Sequence, residues 1–284
     1  MGNDVTMYDE EQDMQMRAQS SNLNEELGQV EYVFSDKTGT LTANIMEFKK
    51  FSAGTRSYGT GVKPMKKQEE NVNFHDPELD AVLADTGHED HDALMRVILF
   101  LASCHTIIID QGSYNSSSPD ELALVNAAKQ FGYEFIDKDT EDYVVILNKE
   151  TQEKYRYKLL GTCEFSSDRK RQSCIFQKED GEIFLMCKGA DSVIEKLLSA
   201  ESRNSGVHSK TEDYVNAYAR EGLRTLYLAE RKIDQDFYDQ WEQKKNEAKS
   251  LINGREEAVA LVDAEIEGTD QLELIGSTAI EDRL

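Results

Sequence analysis

The sequence has no hydrophobic run long enough to cross a lipid bilayer. Its longest apolar run, Val97 to Ala102, has six residues, whereas a membrane-spanning helix needs about 20. The amino terminus also lacks the pattern of a secretory signal peptide. These absences predict that the 284-residue chain, as given, is soluble.

Positive charge is scarce in this chain. Its 32 lysines and arginines stand against 55 aspartates and glutamates, for a formal net charge of −23. Nucleic acids and anionic membrane surfaces bind a basic protein face, so the composition argues against both as partners. It leaves a small phosphate-bearing ligand open, because such a ligand responds to local charge. One basic cluster, Arg169-Lys170-Arg171, stands out.

Cysteine and histidine are also few. The four cysteines form no CxxC motif, and the five histidines show no metal-ligand spacing, which argues against a metal site built on these residues. Scattered free thiols indicate a reducing compartment. With 39% hydrophobic residues, the chain can nevertheless form a substantial core.

A strand-like run followed by a polar turn raises the first question about chemistry. The run Val30 to Phe34 precedes SDKTGTLT at residues 35–42. The residues alone leave two interpretations open. One is an ordinary turn rich in Asp, Thr and Gly. The other is a phosphate site at the end of a strand, in which Asp36 attacks a phosphoryl group and Mg²⁺ offsets the repulsion between the two anions.

The region from about 76 to 262 alternates helical and strand-like patterns. Residues 94–102 have helical spacing, and a helix over 118–131 has Ser118 as N-cap, Pro119 at its first position and Glu121 in the capping-box position. This alternation predicts an α+β domain, an antiparallel sheet with flanking helices. The remaining predicted elements are strands at 44–51, 142–148, 155–165, 173–178, 182–188, 224–230 and from 271, helices at 191–199, 211–221 and 234–262, a linker at 52–75 and a hairpin turn at 179–181.

Six stretches, in order along the chain, resemble the type IV P-type ATPases, which are phospholipid flippases. SDKTGTLT matches the phosphorylation signature of P-type ATPases, and the likeness extends over residues 21–50. The other five stretches are SSPDELALVNAAKQFGYEF, EFSSDRKRQS, KGADSVIEKLL, AREGLRTL and STAIEDRL.

The resemblance implies a domain organisation. We expect an α+β nucleotide-binding domain inserted into an incomplete haloacid-dehalogenase-like α/β phosphorylation domain. The expected divisions are a polar lead-in over 1–27, the first piece of the phosphorylation domain over 28–52, the nucleotide-binding domain over 53–268, and a truncated second piece of the phosphorylation domain over 269–284.

The catalytic roles that the resemblance implies fall on three consecutive residues. Asp36 would be phosphorylated, Lys37 and Thr38 would hold the transferring phosphate, and Asp36 together with the Thr38 carbonyl would bind Mg²⁺. Haloacid-dehalogenase-like phosphatases commonly carry a second aspartate where this chain has Thr38. Its absence favours a pump, which must retain its phosphoenzyme, over a stand-alone phosphatase.

The resemblance also implies a nucleotide pocket formed by Glu121, Phe165, Ser167, Lys170, Lys188, Gly189 and Arg224. Phe165 would stack on adenine, Arg224 would reach the phosphates, and Glu121 would both face adenine and cap its helix. The residues alone allow plainer roles. Phe165 could belong to a core, Lys188 could be an exposed strand end, and Arg224 could form a weak surface ion pair. The basic cluster could be a solvated sheet edge.

The function implied is that of an ATP-binding cytosolic fragment of a pump that couples ATP hydrolysis, through an aspartyl phosphate, to phospholipid translocation. ATP or ADP and Mg²⁺ are the expected ligands, and the fragment alone is expected to be inactive. The lipid would contact only absent membrane segments of a multi-pass parent protein. An accessory subunit of that parent is a further partner that the resemblance implies. The alternatives are a stand-alone haloacid-dehalogenase-like phosphatase and a non-catalytic nucleotide-binding module.

Overall fold

The computed structural model describes residues 8–9, 14–15, 28–36, 40–43, 45–59, 68–138 and 142–283. The chain divides into two compact units, Met1–Leu41 and Thr42–Leu284. In the first unit, two short strands, β1 (Tyr8–Asp9) and β2 (Met14–Gln15), pair in antiparallel fashion.

The strand predicted over Val30 to Phe34 is wrong. Residues 30–36 have no regular secondary structure, and the side chains of Val33 and Phe34 are 84% and 96% exposed. A buried strand needs a neighbour for its backbone hydrogen bonds, and no described strand pairs with this run. The apolar pattern therefore lacks the partner that would turn it into a strand.

The second unit is built on a nine-stranded antiparallel sheet and a separate two-stranded hairpin. The strands are β3 (Met46–Ala53), β4 (Arg56–Tyr58), β5 (Ile108–Asp110), β6 (Ser113–Asn115), β7 (Tyr133–Lys138), β8 (Tyr143–Asn148), β9 (Lys154–Cys163), β10 (Arg171–Gln177), β11 (Ile183–Gly189), β12 (Arg224–Ile233) and β13 (Glu273–Asp282). In the large sheet the strands lie in the order β4-β3-β13-β12-β11-β10-β9-β8-β7, and β5 and β6 form the hairpin.

Helices cover both faces of this sheet. The helices are α1 (Leu79–Ala84), α2 (His91–Ser103), α3 (Pro119–Gln130), α4 (Asp191–Ile194), α5 (Ala200–Arg203), α6 (Gly206–Arg220), α7 (Gln235–Ser250) and α8 (Arg255–Glu267), with a 3₁₀ turn at Glu195–Leu197. Alternate strand residues enter two cores. In β10, Cys174 and Phe176 belong to the core beneath α2 and α3, whereas Ile175 packs with Trp241 of α7 in the other. The predicted α+β architecture is confirmed.

The predicted domain boundaries at 52/53 and 268/269 set β3 and β13 apart from strands with which they share one sheet. Strand β13 pairs with β3 on one side and β12 on the other. The buried hydroxyls of Ser52 and Ser277 lie 2.8 Å apart across the β3–β13 pair. Both strands therefore belong to the unit Thr42–Leu284. Local pattern did not predict this, because the paired residues are 225 positions apart.

Most other predicted elements form, with local differences. Helix α3 begins and ends close to its predicted bounds, but the helix predicted over 234–262 is two helices, since Gly254 takes a left-handed φ of 68° between them. Strand β4 lies inside the predicted linker, and β7 was not predicted. Within the described ranges, no helix is long and apolar enough to span a membrane.

Candidate nucleotide site

A pocket of about 700 Å³ opens at one end of the sheet, on the face that α3 covers. Its walls come from the start of α3, the ends of β9 and β11, and the starts of β10 and β12, which meet because adjacent strands are antiparallel. Six predicted residues line it: Glu121, Phe165, Lys170, Lys188, Gly189 and Arg224. The seventh, Ser167, lies in an exposed turn between β9 and β10 and does not line the pocket.

Phe165 forms an exposed apolar wall of the pocket. It lies two residues beyond the end of β9, and 64% of its surface is exposed. The alternative that Phe165 fills a core is therefore wrong. An uncovered aromatic face beside cationic side chains is suited to stacking on the flat ring of a ligand.

Lys188 and Glu121 form a buried ion pair at the floor of the pocket. Lys188 Nζ donates to Glu121 Oε1 at 2.9 Å and to the Cys104 carbonyl at 2.5 Å. Lys188 and Glu121 are 6% and 5% exposed, so Lys188 is not the exposed strand end of the plainer interpretation. Because both charges are shielded from water, each depends on the other.

Further donors surround the Glu121 carboxylate. The Thr106 amide and hydroxyl donate to Oε2 at 3.2 and 2.8 Å. Burial raises the pKa of Glu121, but the charge of Lys188 and the hydrogen bonds from Lys188 and Thr106 outweigh burial and lower that pKa to about 2. Glu121 is therefore a carboxylate at neutral pH, and it holds Lys188 in its charged form.

Only one of the two reciprocal hydrogen bonds of the predicted capping box forms at the start of α3. Ser118 Oγ accepts from the Glu121 amide at 3.4 Å, as predicted. The reciprocal bond of a capping box is replaced, because the Ser118 amide donates to Ser116 Oγ at 3.1 Å. The Glu121 side chain turns instead toward Lys188 and Thr106.

Arg224 pairs with a carboxylate at the mouth of the pocket. Its Nη2 lies 3.1 Å from Asp120 Oδ2, and the two side chains are 51% and 28% exposed. Burial raises the pKa of Asp120, against the opposing effect of Arg224. The other oxygen, Asp120 Oδ1, is buried and has no hydrogen-bond partner among the described residues. Half-exposed pairs of this kind are weak, so Arg224 can exchange its acceptor for an anionic ligand.

Gly189 is required by neighbouring protein backbone rather than by a ligand. A Cβ at this position would lie 2.6 Å from Arg171 Cβ and 2.7 Å from the Lys170 carbonyl oxygen. The start of β10 therefore makes the close approach that requires a glycine here. The basic cluster Arg169-Lys170-Arg171 does not form a solvated sheet edge, because β10 lies between β9 and β11.

The predicted catalytic residues belong to the other unit, Met1–Leu41. Asp36 lies in the exposed irregular stretch, and Ser35 Oγ donates to the Asp36 carbonyl at 3.1 Å. Lys37 and Thr38 lie outside the described residues. Across the described part of the chain, no group of three or more His, Cys, Asp or Glu side chains could hold a metal ion. The Mg²⁺ role of Asp36 and the Thr38 carbonyl therefore stays a prediction.

Thr106, Asp120 and Gln172 also line the pocket and were not predicted as site residues. Thr106 had no local signal, since it follows α2 and reaches the pocket only through the tertiary fold. Asp120 was not predicted because an acidic residue in the first turn of a helix such as α3 is common without any ligand. Gln172 is 6% exposed and could have been found from the alternation of β10, which places Lys170 and Gln172 on the same side.

Comparison with known proteins identifies the family. Residues 92–284 match the family described as P-type ATPase, cytoplasmic domain N. The chain belongs to the P-type ATPases. The family prediction from the sequence motifs is thereby confirmed.

Similar P-type ATPases extend well beyond this chain. Phospholipid-transporting ATPase IK of Homo sapiens is 39% identical over 99% of this chain and 22% of its own length. Phospholipid-transporting ATPase DRS2 of Saccharomyces cerevisiae is 42% identical, over 100% and 21%. Probable phospholipid-transporting ATPase 12 of Arabidopsis thaliana is 39% identical, over 99% and 26%. The chain thus spans about a fifth to a quarter of these relatives.

Proposed function

We propose that this chain is the ATP-binding cytosolic region of a type IV P-type ATPase that moves phospholipids between membrane leaflets. One observation carries the nucleotide-binding role. Six residues scattered from Glu121 to Arg224, each implied by the motif resemblance, line a single pocket. The names of the similar proteins support phospholipids as the transported substrate. The family match favours this function over a stand-alone phosphatase.

The pocket offers different surfaces to the two ends of ATP. The exposed ring of Phe165 would stack on adenine, which contributes about 1–3 kcal/mol per base. Lys170 and Arg224 line the same pocket and would face the phosphates. Arg224 would leave Asp120 as it binds, and the buried Glu121–Lys188 pair would support the floor.

Asp36 would accept the phosphoryl group in the complete pump. In this proposal, residues 28–41 belong to a haloacid-dehalogenase-like phosphorylation domain. Asp36 and the Thr38 carbonyl would hold Mg²⁺, which when bound neutralises charge on the phosphate. Since the described residues supply no further grouped ligands, we assign no step to the metal. The 284-residue chain alone binds nucleotide without becoming phosphorylated.

The lipid and the membrane would be met outside this chain. In the proposed parent protein, this region stands at the cytosolic face of a membrane and reaches the phospholipid only through separate membrane segments. An accessory subunit is compatible with this arrangement. ATP and ADP are the ligands that the chain itself recognises.

Nucleotide titration followed by ¹H–¹⁵N NMR tests this function. Wild-type protein should bind ATP with a Kd of about 1 mM, or about 4 kcal/mol, with the largest shifts among the pocket residues. Phe165→Ala should weaken binding by at least about fivefold, the lower end of the stacking range. Ile252→Ala removes a side chain that is 92% exposed outside the pocket and should bind as wild type. Equal affinity in all three proteins would refute the pocket.

A further inference from the structure

Residues 169–173 alternate between the pocket and a buried charge cluster on the other face of the sheet. Lys170 and Gln172 line the pocket. The alternate side chains, those of Arg169, Arg171 and Ser173, contact carboxylates of α8. One short segment thus connects the proposed nucleotide site to a helix that contributes no residue to the pocket lining.

Two carboxylates of α8 hold this segment from the far face. Glu267 Oε2 accepts from Arg171 Nε at 2.6 Å, and Glu267 Oε1 accepts from Ser173 Oγ at 2.6 Å. Arg169 bonds to Glu267 as well, and its Nη1 lies 2.9 Å from Asp263 Oδ2. These bonds fix both side chains that flank Lys170.

Burial makes these contacts strong constraints. The Glu267 side chain is 0% exposed, while those of Arg169 and Arg171 are 11% and 13% exposed. Removing one partner of a buried ion pair leaves an uncompensated charge away from water, unlike the loss of a surface pair. The segment therefore cannot move far from α8 without losing several charged hydrogen bonds at once.

The backbone of Lys170 also needs outside support. Its φ of 51° lies in the left-handed region, which is unfavourable for a residue with a side chain. The Lys170 amide donates to the Ser166 carbonyl at 2.8 Å, and its own carbonyl accepts from the Ala190 amide at 3.0 Å. The flanking arginines add the side-chain anchors that keep this conformation.

We propose that Glu267, assisted by Asp263, is a positioning residue for the nucleotide pocket. It fixes Lys170 and Gln172 through Arg169, Arg171 and Ser173, without touching the ligand. This inference rests on the proposed function, since nucleotide is taken as the ligand of the pocket.

The test compares Glu267→Gln with Glu265→Gln, the same chemical change two residues away. Glu265 forms a half-exposed ion pair with Lys244 and has no hydrogen bond or ion pair to β10 among the described residues. In ligand-free protein, Glu267→Gln should shift the amide signals of Lys170 and Gln172, whereas Glu265→Gln should leave them in place. ATP binding should weaken about tenfold in Glu267→Gln, a change that corresponds to about 1.4 kcal/mol. In the control, ATP affinity should stay within about twofold of wild type.

A double variant separates positioning from general damage. If Glu267 acts by positioning Lys170 as well as Gln172, then Glu267→Gln should cost less ATP affinity in a Lys170→Met background than in wild type. Additive losses, or unchanged Lys170 and Gln172 signals in Glu267→Gln, would overturn the inference. If wild type shows no ATP shifts, the proposed function fails, and the ligand-free signals still decide the positioning role.

Ser173→Ala covers the case in which Glu267→Gln does not fold. It deletes the 2.6 Å hydroxyl bond to Glu267 and leaves both ion pairs. We expect a smaller shift of Gln172 and a loss of ATP affinity of about two- to threefold. An unchanged Gln172 signal together with unchanged affinity would reject the inference.

Discussion

Replacing Glu121 by glutamine isolates the charge at the floor of the pocket. The amide keeps the shape of the side chain but removes the anion that pairs with Lys188 Nζ at 2.9 Å. Lys188 is 6% exposed, and its remaining recorded acceptor is the Cys104 carbonyl. The variant therefore leaves a buried ammonium without a counter-ion, which is among the larger single-site penalties in proteins.

The magnitude follows from the pKa of Glu121. Folding lowers this pKa from 4.5 to about 2, and each unit corresponds to about 1.4 kcal/mol. The carboxylate thus contributes about 3 kcal/mol at pH 7, close to the cost expected for breaking a buried ion pair. Because the folded-state pKa is the lower one, this contribution is complete above pH 4.5 and is lost as pH falls toward 2.

Urea unfolding followed by circular dichroism, at several pH values, measures this contribution. Glu121→Gln should be about 3 kcal/mol less stable than wild type at pH 7, and the difference should shrink below pH 4.5. Glu221→Gln is the matched control, because Glu221 pairs with Lys50 while half exposed. Its effect should stay below about 1 kcal/mol. A difference under 1 kcal/mol for Glu121→Gln at pH 7, or one independent of pH, would show that the Glu121 charge does not stabilise the fold through Lys188.

Two further substitutions test the packing around the pocket. Gly189→Ala places a methyl group 2.7 Å from the Lys170 carbonyl oxygen. It should lower the free energy of unfolding in urea by about 1–3 kcal/mol and shift the Lys170 amide signal. A variant as stable as wild type would contradict the close approach. Ser118→Ala removes the N-cap of α3 and should lower the free energy of unfolding by about 1 kcal/mol, whereas Ser117→Ala, one residue outside the cap, should change it little. Equal losses in the two serine variants would argue against the cap.

Features with local signals could be predicted from the sequence. Ser118 and Pro119 mark the start of α3 because capping and proline stereochemistry act within one helical turn. The turn at 179–181 forms as expected, with Gly181 at a φ of 90°. The motif order also pointed to pocket residues that strand topology then brings together, including Phe165 and Lys188.

Features that depend on distant partners could not be predicted. The pairing of β3 with β13 joins the two ends of the second unit, and no local pattern in the sequence predicts a pairing over that distance. The same limit explains the error at Val30 to Phe34, where an apolar run has no described neighbouring strand. The Glu267 cluster escaped notice because 94 residues separate Ser173 from Glu267.

An ATP titration of wild type against Phe165→Ala decides whether the pocket beside Phe165 binds nucleotide. We expect saturable shifts of the pocket amides in wild type, with a Kd of about 1 mM. We also expect at least a fivefold loss of affinity in Phe165→Ala, while the rest of the spectrum keeps its dispersion. Shifts that do not saturate, or the same affinity in both proteins, would contradict nucleotide binding in this pocket.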